Sequence, residues 1–356
     1  MNERIEKFLA KLPREIDAAL LVSRENRFYM SGVASSDGMV LITREKSYLL
    51  VDFRYIQVAK ENASGVEVVL LTNTKQQLAE LVKRHRLAKI GIESEQMTVA
   101  QFKRFDEMLK PASLLFDGEV SKLLSLLRRT KSTAEIGFVK QAQEITDKTF
   151  EHICGFIKAG MTEKEVALEL FTHAKKLGAD SQSFDFIVVS GKNSSMPHGV
   201  PSDKKLENGD LVTMDFGVKV GGYCSDMTRT VAIGFVTDRD RRVYNTVFKA
   251  QLAALGTIKP GVCCFDIDKT ARDIINEAGY TGCFGHGLGH SLGLEIHESP
   301  HFNTVCRDIC ENGMLMTVEP GVYIENEVGC RIEDMVYITE DEIINLTKST
   351  KDLIIL

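Results

Sequence analysis

Two textures of apolar and polar positions succeed one another along this chain. Over residues 1–117, short apolar runs at Ala18–Val22, Met39–Ile42, Tyr48–Val51, Val66–Leu71 and Ile90–Ile92 alternate with amphipathic stretches at Ile5–Leu12, Tyr55–Glu61, Lys75–His85 and Val99–Leu109. The runs predict strands, and the stretches, with apolar positions three and four apart, predict helices. The charged segment Ser121–Thr133 reads as a helical crossover. The expected division is therefore a smaller N-terminal α/β domain, 1–123, and a second domain, 124–356.

Past Glu135 the period lengthens. Ile136, Val139, Ala142, Ile145, Thr149 and Ile153 share one face of a long helix running toward Ile157, which Gly160 stops. Thr162 and Glu165 form a capping box that opens the next helix, ending at Gly178. Further helices are expected over Asp238–Leu255 and Asp266–Ala278, the latter stopped by Gly279. Strands are expected at Phe186–Ser190, Asp210–Val220, Tyr223–Gly234, Leu315–Val318 and Cys330–Thr339. Helices segregated from antiparallel hairpins make the fold class α+β.

Composition narrows the function classes. A net charge of −6 with no basic block argues against a nucleic-acid partner. No run of about 20 apolar residues exists for a membrane span, and the N-terminus mixes charges of both signs, unlike a signal peptide. Eight cysteines without a CxxC pair read as thiols of a reducing compartment, so the cytoplasm is expected.

The chemistry concentrates in the second domain. Asp215 in MDFG and Asp226 in SDMTRT lie on one expected hairpin that reverses around Val220–Gly222. A two-residue loop at 220–221 sets them directly opposite, and one at 221–222 sets them diagonally on the same face. Asp215 sits among Val212, Met214, Phe216 and Val218, where an idle carboxylate would be costly. HGLGHSLGLEIHESPHF brings four of the eight histidines together, His286, His290, His297 and His301, and its glycines argue against a helix. A second hairpin carries Glu319 in VEPGVY and Glu333 in RIED, with Pro320-Gly321 forcing an irregular start that leaves the register open. Four carboxylates and His290 aimed at one spot cannot stay bare. Unit charges about 4 Å apart interact by roughly 4 kcal/mol at an effective dielectric near 20. Two divalent cations and a shared hydroxide bring such a cluster close to neutrality, which points to a dinuclear hydrolase.

In order, SMPHG, MDFG, SDMTRT, HGLGHSLGLEIHE, VEPGVY and RIED resemble the motifs of the pita-bread metallopeptidase family, which includes Xaa-Pro aminopeptidase, prolidase and methionine aminopeptidase. SRENRFYMSG and LLVDFRY resemble the N-terminal domain of its creatinase and prolidase group. The resemblance implies a pita-bread catalytic domain with Asp215, Asp226, His290, Glu319 and Glu333 as metal ligands, Asp226 and Glu333 bridging. The ions would be two, Mn²⁺ suiting this hard ligand set and Co²⁺ or Zn²⁺ being accommodated. It further implies that Glu319 takes a proton from the shared water and that His198 and His297 move protons or polarise the scissile carbonyl. His286 would shape the proline-side pocket, and Arg331 and Tyr323 would orient the ligands from behind. His301, His85, His152 and His173 read as structural. Arg54 and Tyr55 read as a contact within the N-terminal domain or of a dimer. The implied activity is hydrolysis of the bond between an N-terminal residue and proline, on peptides with proline second, by a homodimer. Alternatives are a methionine-type or broader aminopeptidase, a metal-free creatinase-like enzyme, and a silent binding relative. The N-terminal domain argues against the first and the intact ligand set against the others.

Overall fold

The computed structural model describes residues 2–356, in two compact units, Met1–Arg128 and Arg129–Leu356. The expected boundary at 123/124 would cut a helix, Glu119–Arg129, whose Val120, Leu123 and Leu124 are buried. The division instead falls near that helix's C-terminal end.

The first unit runs α1 (Glu3–Lys11), β1 (Ala18–Leu21), α2 (Arg24–Ser31), β2 (Met39–Thr43), β3 (Ser47–Val51), α3 (Ile56–Asn62), β4 (Glu67–Leu70), α4 (Thr74–Arg84), β5 (Lys89–Ile92), α5 (Val99–Met108), β6 (Ser113–Leu115) and α6 (Glu119–Arg129). Its six strands form one mixed sheet in the order β4-β3-β2-β1-β5-β6. Every residue of β1, β2 and β3 is buried, which is why these strands read as unbroken apolar runs. Helix α2 has no apolar stripe legible in RENRFYMS. It is fixed by its ends, Ser23 capping the first turn and Gly32 closing it at φ 75°.

The second unit runs α7 (Thr133–Phe156), α8 (Glu163–Lys176), β7 (Ser181–Gln182), β8 (Ile187–Ser190), β9 (Leu211–Phe216), β10 (Val218–Val220), β11 (Tyr223–Cys224), β12 (Met227–Ala232), α9 (Asp238–Thr257), α10 (Cys264–Glu277), β13 (Gly289–Ser291), β14 (Glu298–Phe302), β15 (Leu315–Val318), β16 (Gly321–Ile324), β17 (Val328–Arg331), β18 (Asp334–Ile338) and β19 (Ile343–Asn345). Capping boxes at Ser132/Glu135 and Thr162/Glu165 start α7 and α8. Antiparallel sheets in the orders β12-β9-β8 and β14-β13-β15-β18-β19 carry the site. One apolar cluster packs α9 and α10 against β15 to β18; another packs α7 and α8 against β8, β9 and β12.

Three strands expected to be continuous are interrupted, each within two residues of a candidate ligand. The first hairpin breaks at Gly217 and at Ser225-Asp226 and the second at Ile332-Glu333, besides the irregular start expected at Pro320-Gly321. At Gly217 the chains approach so closely that a Cβ would stand 1.9 Å from the Ser225 carbonyl oxygen.

Candidate metal centre

Register places the carboxylates. The first hairpin turns at Gly221-Gly222, with φ 57° and 85°. This pair of left-handed residues is the demand of a type I′ turn. The register that pairs Val220 with Tyr223 also pairs Asp215 with Thr228. Asp226, two residues from Thr228, is therefore diagonal to Asp215 on the same face, as the 221–222 loop requires. In the second hairpin Ile324 pairs with Val328 and Leu315 with Tyr337. That one register carries Glu319 opposite Glu333, settling what Pro320-Gly321 left open.

The two hairpins meet edge to edge through β12. Its alternate side chains Thr228 and Thr230 face the second hairpin. The Thr228 hydroxyl donates to Glu333 Oε2 at 2.7 Å, and the Thr228 carbonyl accepts from the Glu333 N–H at 3.1 Å. The Thr230 hydroxyl donates to the Arg331 carbonyl at 2.9 Å. Arg229, pointing the other way, binds Asp334 at 2.7 Å and so fixes the strand's orientation. His290 enters on β13. Its N–H donates to Thr317 Oγ1 at 3.0 Å, and that hydroxyl lies 3.2 Å from Glu319 Oε1. His290 Nδ1 lies 3.1 Å from the Ser291 carbonyl, which turns Nε2 toward Glu319 at 3.4 Å and Asp226 at 3.7 Å.

Potential ligand atoms of Asp226, His290 and Glu333 all lie within 4.8 Å of one another. Asp215 Oδ1 and Asp226 Oδ1 are buried without a hydrogen-bond partner. Among the described residues, Arg331 is the only Lys or Arg paired with any of the four carboxylates, its Nη2 at 2.6 Å from Asp215 Oδ2. Burial, and then the neighbouring Glu333, Asp215 and Glu319, drive the Asp226 carboxyl well above its usual range. Burial with Glu319 and Asp215 does the same to Glu333, and burial lifts Glu319 to about 8. Burial and His297 depress His290 to about 3, leaving it neutral with a free lone pair. Orphaned oxygens, a neutral imidazole and anions lacking countercharge fit divalent cations held by Asp215, Asp226, His290, Glu319 and Glu333.

The centre lines a cleft of about 600 Å³. Its walls include Phe184, Ile187, Ile296, His198, His286, His297 and His301. Among the described residues, no hydrogen bond engages the rings of His198, His297 or His301, so these imidazoles face the cleft with free nitrogens. The rings of His290 and His297 meet edge to face, centroids 4.5 Å apart. His286 is placed differently. Its Nδ1 lies 2.8 Å from the Gly287 carbonyl and its Nε2 2.9 Å from the Tyr323 hydroxyl, which in turn accepts from Arg331 Nη1 at 2.7 Å. Burial and Arg331 hold His286 down to about 4. Its polar atoms are thus committed to the Tyr323–Arg331–Asp215 chain, and it offers the cleft a ring.

Sequence reasoning passed over His301. It lines the cleft and pairs in register with His290; its nearness to His290 and His297 was the available signal. Phe184, Asp185 and Asn303 also line the cleft, and no motif marked them. Arg54 and Tyr55 lie in the other unit, where Arg54 binds Asp52 at 2.6 Å and Tyr55 meets Ser36 at 2.6 Å. His152, Glu169 and His173 also cluster, but the two rings stack 3.8 Å apart and 7° from parallel. As they stand, no ion lies in both ring planes.

Two family models match the chain: metallopeptidase family M24 over residues 137–340, and the creatinase/prolidase N-terminal domain over residues 4–128. A Xaa-Pro dipeptidase of Pyrococcus horikoshii is 36% identical, with 99% of each chain covered. A solved Xaa-Pro dipeptidase from Bacillus anthracis is 40% identical with a TM-score of 0.95, 99% of each chain being covered. An X-Pro aminopeptidase from Thermotoga maritima superposes with a TM-score of 0.92 at 34% identity, over 99% of this chain and all of that one.

Proposed function

The chain belongs to metallopeptidase family M24, and we propose that it hydrolyses the bond between an N-terminal residue and proline, as a metal-dependent exopeptidase. The observation that carries the reading is the convergence of four carboxylates and a neutral His290 on a cleft lined by free imidazoles. Names of the similar proteins, Xaa-Pro dipeptidase and X-Pro aminopeptidase, support the substrate class. Two divalent ions, Mn²⁺ first among them, would be held by Asp215, Asp226, His290, Glu319 and Glu333. When bound, they supply charge neutralisation and an acidified water near neutral pH.

The chain's own groups divide the remaining work. Glu319, beside the reacting water, takes up the proton that the water gives up. His297 and His198 donate toward the scissile carbonyl and the departing amine. Arg331 balances Asp215 and, through Tyr323, fixes His286. With its nitrogens engaged, His286 lines the cleft by its ring, and Phe184, Ile187 and Ile296 add apolar lining suited to a proline ring. The working form is a cytoplasmic homodimer.

A panel of Xaa-Pro dipeptides and Xaa-Pro-Yaa peptides assayed with Mn²⁺ tests the reading. The expected result is metal-dependent cleavage, abolished by chelation. Replacing proline by alanine should cost several kcal/mol in kcat/KM. An unpaired buried N–H contributes roughly 1–3 kcal/mol and the lost ring packing about as much again. Equal kcat/KM for Met-Pro-Ala and Met-Ala-Ala would overturn the proline assignment.

A further inference from the structure

The segment that carries His290 and His297 is held by an ion pair which no motif contains in full. Lys131 lies in the short connection before α7, its side chain only 2% exposed, and its Nζ is 3.1 Å from Glu298 Oε2 and 3.1 Å from Ser291 Oγ. Its backbone is anchored too, the N–H donating to the Gly313 carbonyl at 2.7 Å, with the next residue, Ser132, capping α7. The other oxygen of Glu298, Oε1, accepts the N–H groups of Leu294 at 3.0 Å and Glu295 at 3.2 Å. Gly293 lies directly on this carboxylate: a Cβ there would stand 2.9 Å from both oxygens.

We infer that Lys131 and Glu298 are a positioning pair that sets His290 and His297 relative to one another. The inference rests on the peptidase reading for its kinetic consequences. Ser291, gripped through its hydroxyl, supplies the carbonyl that His290 Nδ1 faces, at the β-bulge between His290 and Ser291. Glu298 directly follows His297 and ties down the loop before it. One buried ammonium therefore fixes both ends of the segment. A carboxylate is needed there because two loop N–H groups must be accepted at once, and a buried carboxylate requires a buried cation. Neither residue lines the cleft, so both act through the histidines.

The test compares Lys131→Met, Lys131→Arg, Glu298→Gln and the Lys131→Met/Glu298→Gln double variant in the full chain. With saturating Mn²⁺ and Met-Pro substrates, Lys131→Met and Glu298→Gln should lower kcat by about 10- to 100-fold, the range for groups that orient metal-site ligands. KM and bound metal should stay near wild type, and Lys131→Arg should recover most of the loss. The double variant should fall no further than the poorer single variant, the sign of two residues acting as one unit. Independently of activity, ring ¹⁵N spectra of the metal-free protein should show His290 in one tautomer in wild type and Lys131→Arg, and in mixed tautomers in Lys131→Met. If Lys131→Met fails to fold, the near-isosteric Glu298→Gln carries the same readouts. Wild-type kcat and an unchanged His290 tautomer in the variants would overturn the inference, as would losses that multiply in the double variant. An inert wild type whose His290 tautomer still depends on Lys131 would overturn the peptidase reading and uphold the pair.

Discussion

Stripping the metals should make the fold's stability fall as pH rises through neutrality. Glu319 is held at about 8 in the fold, against an ordinary value of 4.5. A carboxyl whose folded pKa is raised keeps its full contribution below the unfolded value and loses it as pH climbs through the folded one, because between the two the folded state holds the extra proton. From pH 7 to 8 the loss from Glu319 alone is about 1 kcal/mol. Asp226 and Glu333, shifted in the same direction, steepen the loss. Buried histidines work the opposite way, being neutral in the fold and protonated when unfolded. His290 at about 3 and His286 at about 4 have reached their full, pH-independent contribution once pH exceeds the unfolded histidine value of 6.5. The interval above pH 7 therefore isolates the carboxylates. Urea unfolding of exhaustively chelated protein at pH 7 and 8 should show the midpoint dropping at constant slope. Saturating Mn²⁺ should flatten the dependence, and Glu319→Gln should remove about one proton's share. A metal-free midpoint that holds or rises across the interval would show that the carboxylates do not crowd one another.

Two substitutions probe the site from different sides. His297→Ala should keep near-normal metal content and lose about 10²-fold or more in kcat, the scale of one acid–base or oxyanion group; loss of bound metal would instead make His297 a ligand. Gly217→Ala should destabilise by about 1–3 kcal/mol, the usual range for overpacking, since its Cβ meets the Ser225 carbonyl at 1.9 Å, and should reduce bound metal by displacing Asp226. Unfolding midpoints and metal analysis check both effects, and a Gly217→Ala variant with an unchanged midpoint would refute the close approach.

Much of this architecture was legible because it obeys local rules. Leu315–Val318 was placed to the residue, and Thr162/Glu165 opens α8 as a capping box should. The turn at Gly221-Gly222 was one of two alternatives, and its positive φ angles decide between them. The candidate site is legible because charge in an apolar run is costly, so Asp215 between Met214 and Phe216 demands a reason. What stayed hidden depends on long-range partners. Nothing local to His286 announces that Tyr323 binds its Nε2, and for His301 only its nearness to His290 and His297 hints that it faces the cleft. Helix α2 escaped notice because polar Asn26 and Arg27 are buried on it, contrary to the usual pattern.

The strand breaks explain why the carboxylates can serve a common centre at all. In an unbroken hairpin, cross-strand hydrogen bonds would fix each backbone N–H to its own partner and hold the side chains perpendicular to one sheet. Here Glu319 gives its N–H to the Leu288 carbonyl at 2.7 Å and Glu333 gives its own to Thr228 at 3.1 Å. These two breaks thus exchange a bond inside the second hairpin for one to a neighbouring segment, so neither N–H is left unpaired. The exchange binds the second hairpin both to the β12 strand that follows Asp226 and to the loop before His290. Asp226, His290, Glu319 and Glu333 come from segments remote in sequence, yet their relative positions are set by main-chain bonds and not by long flexible side chains. Such a frame can hold mutually repelling carboxylates a few ångströms apart without countercharge only at a cost in stability, and that cost is the quantity the metal-free pH experiment measures.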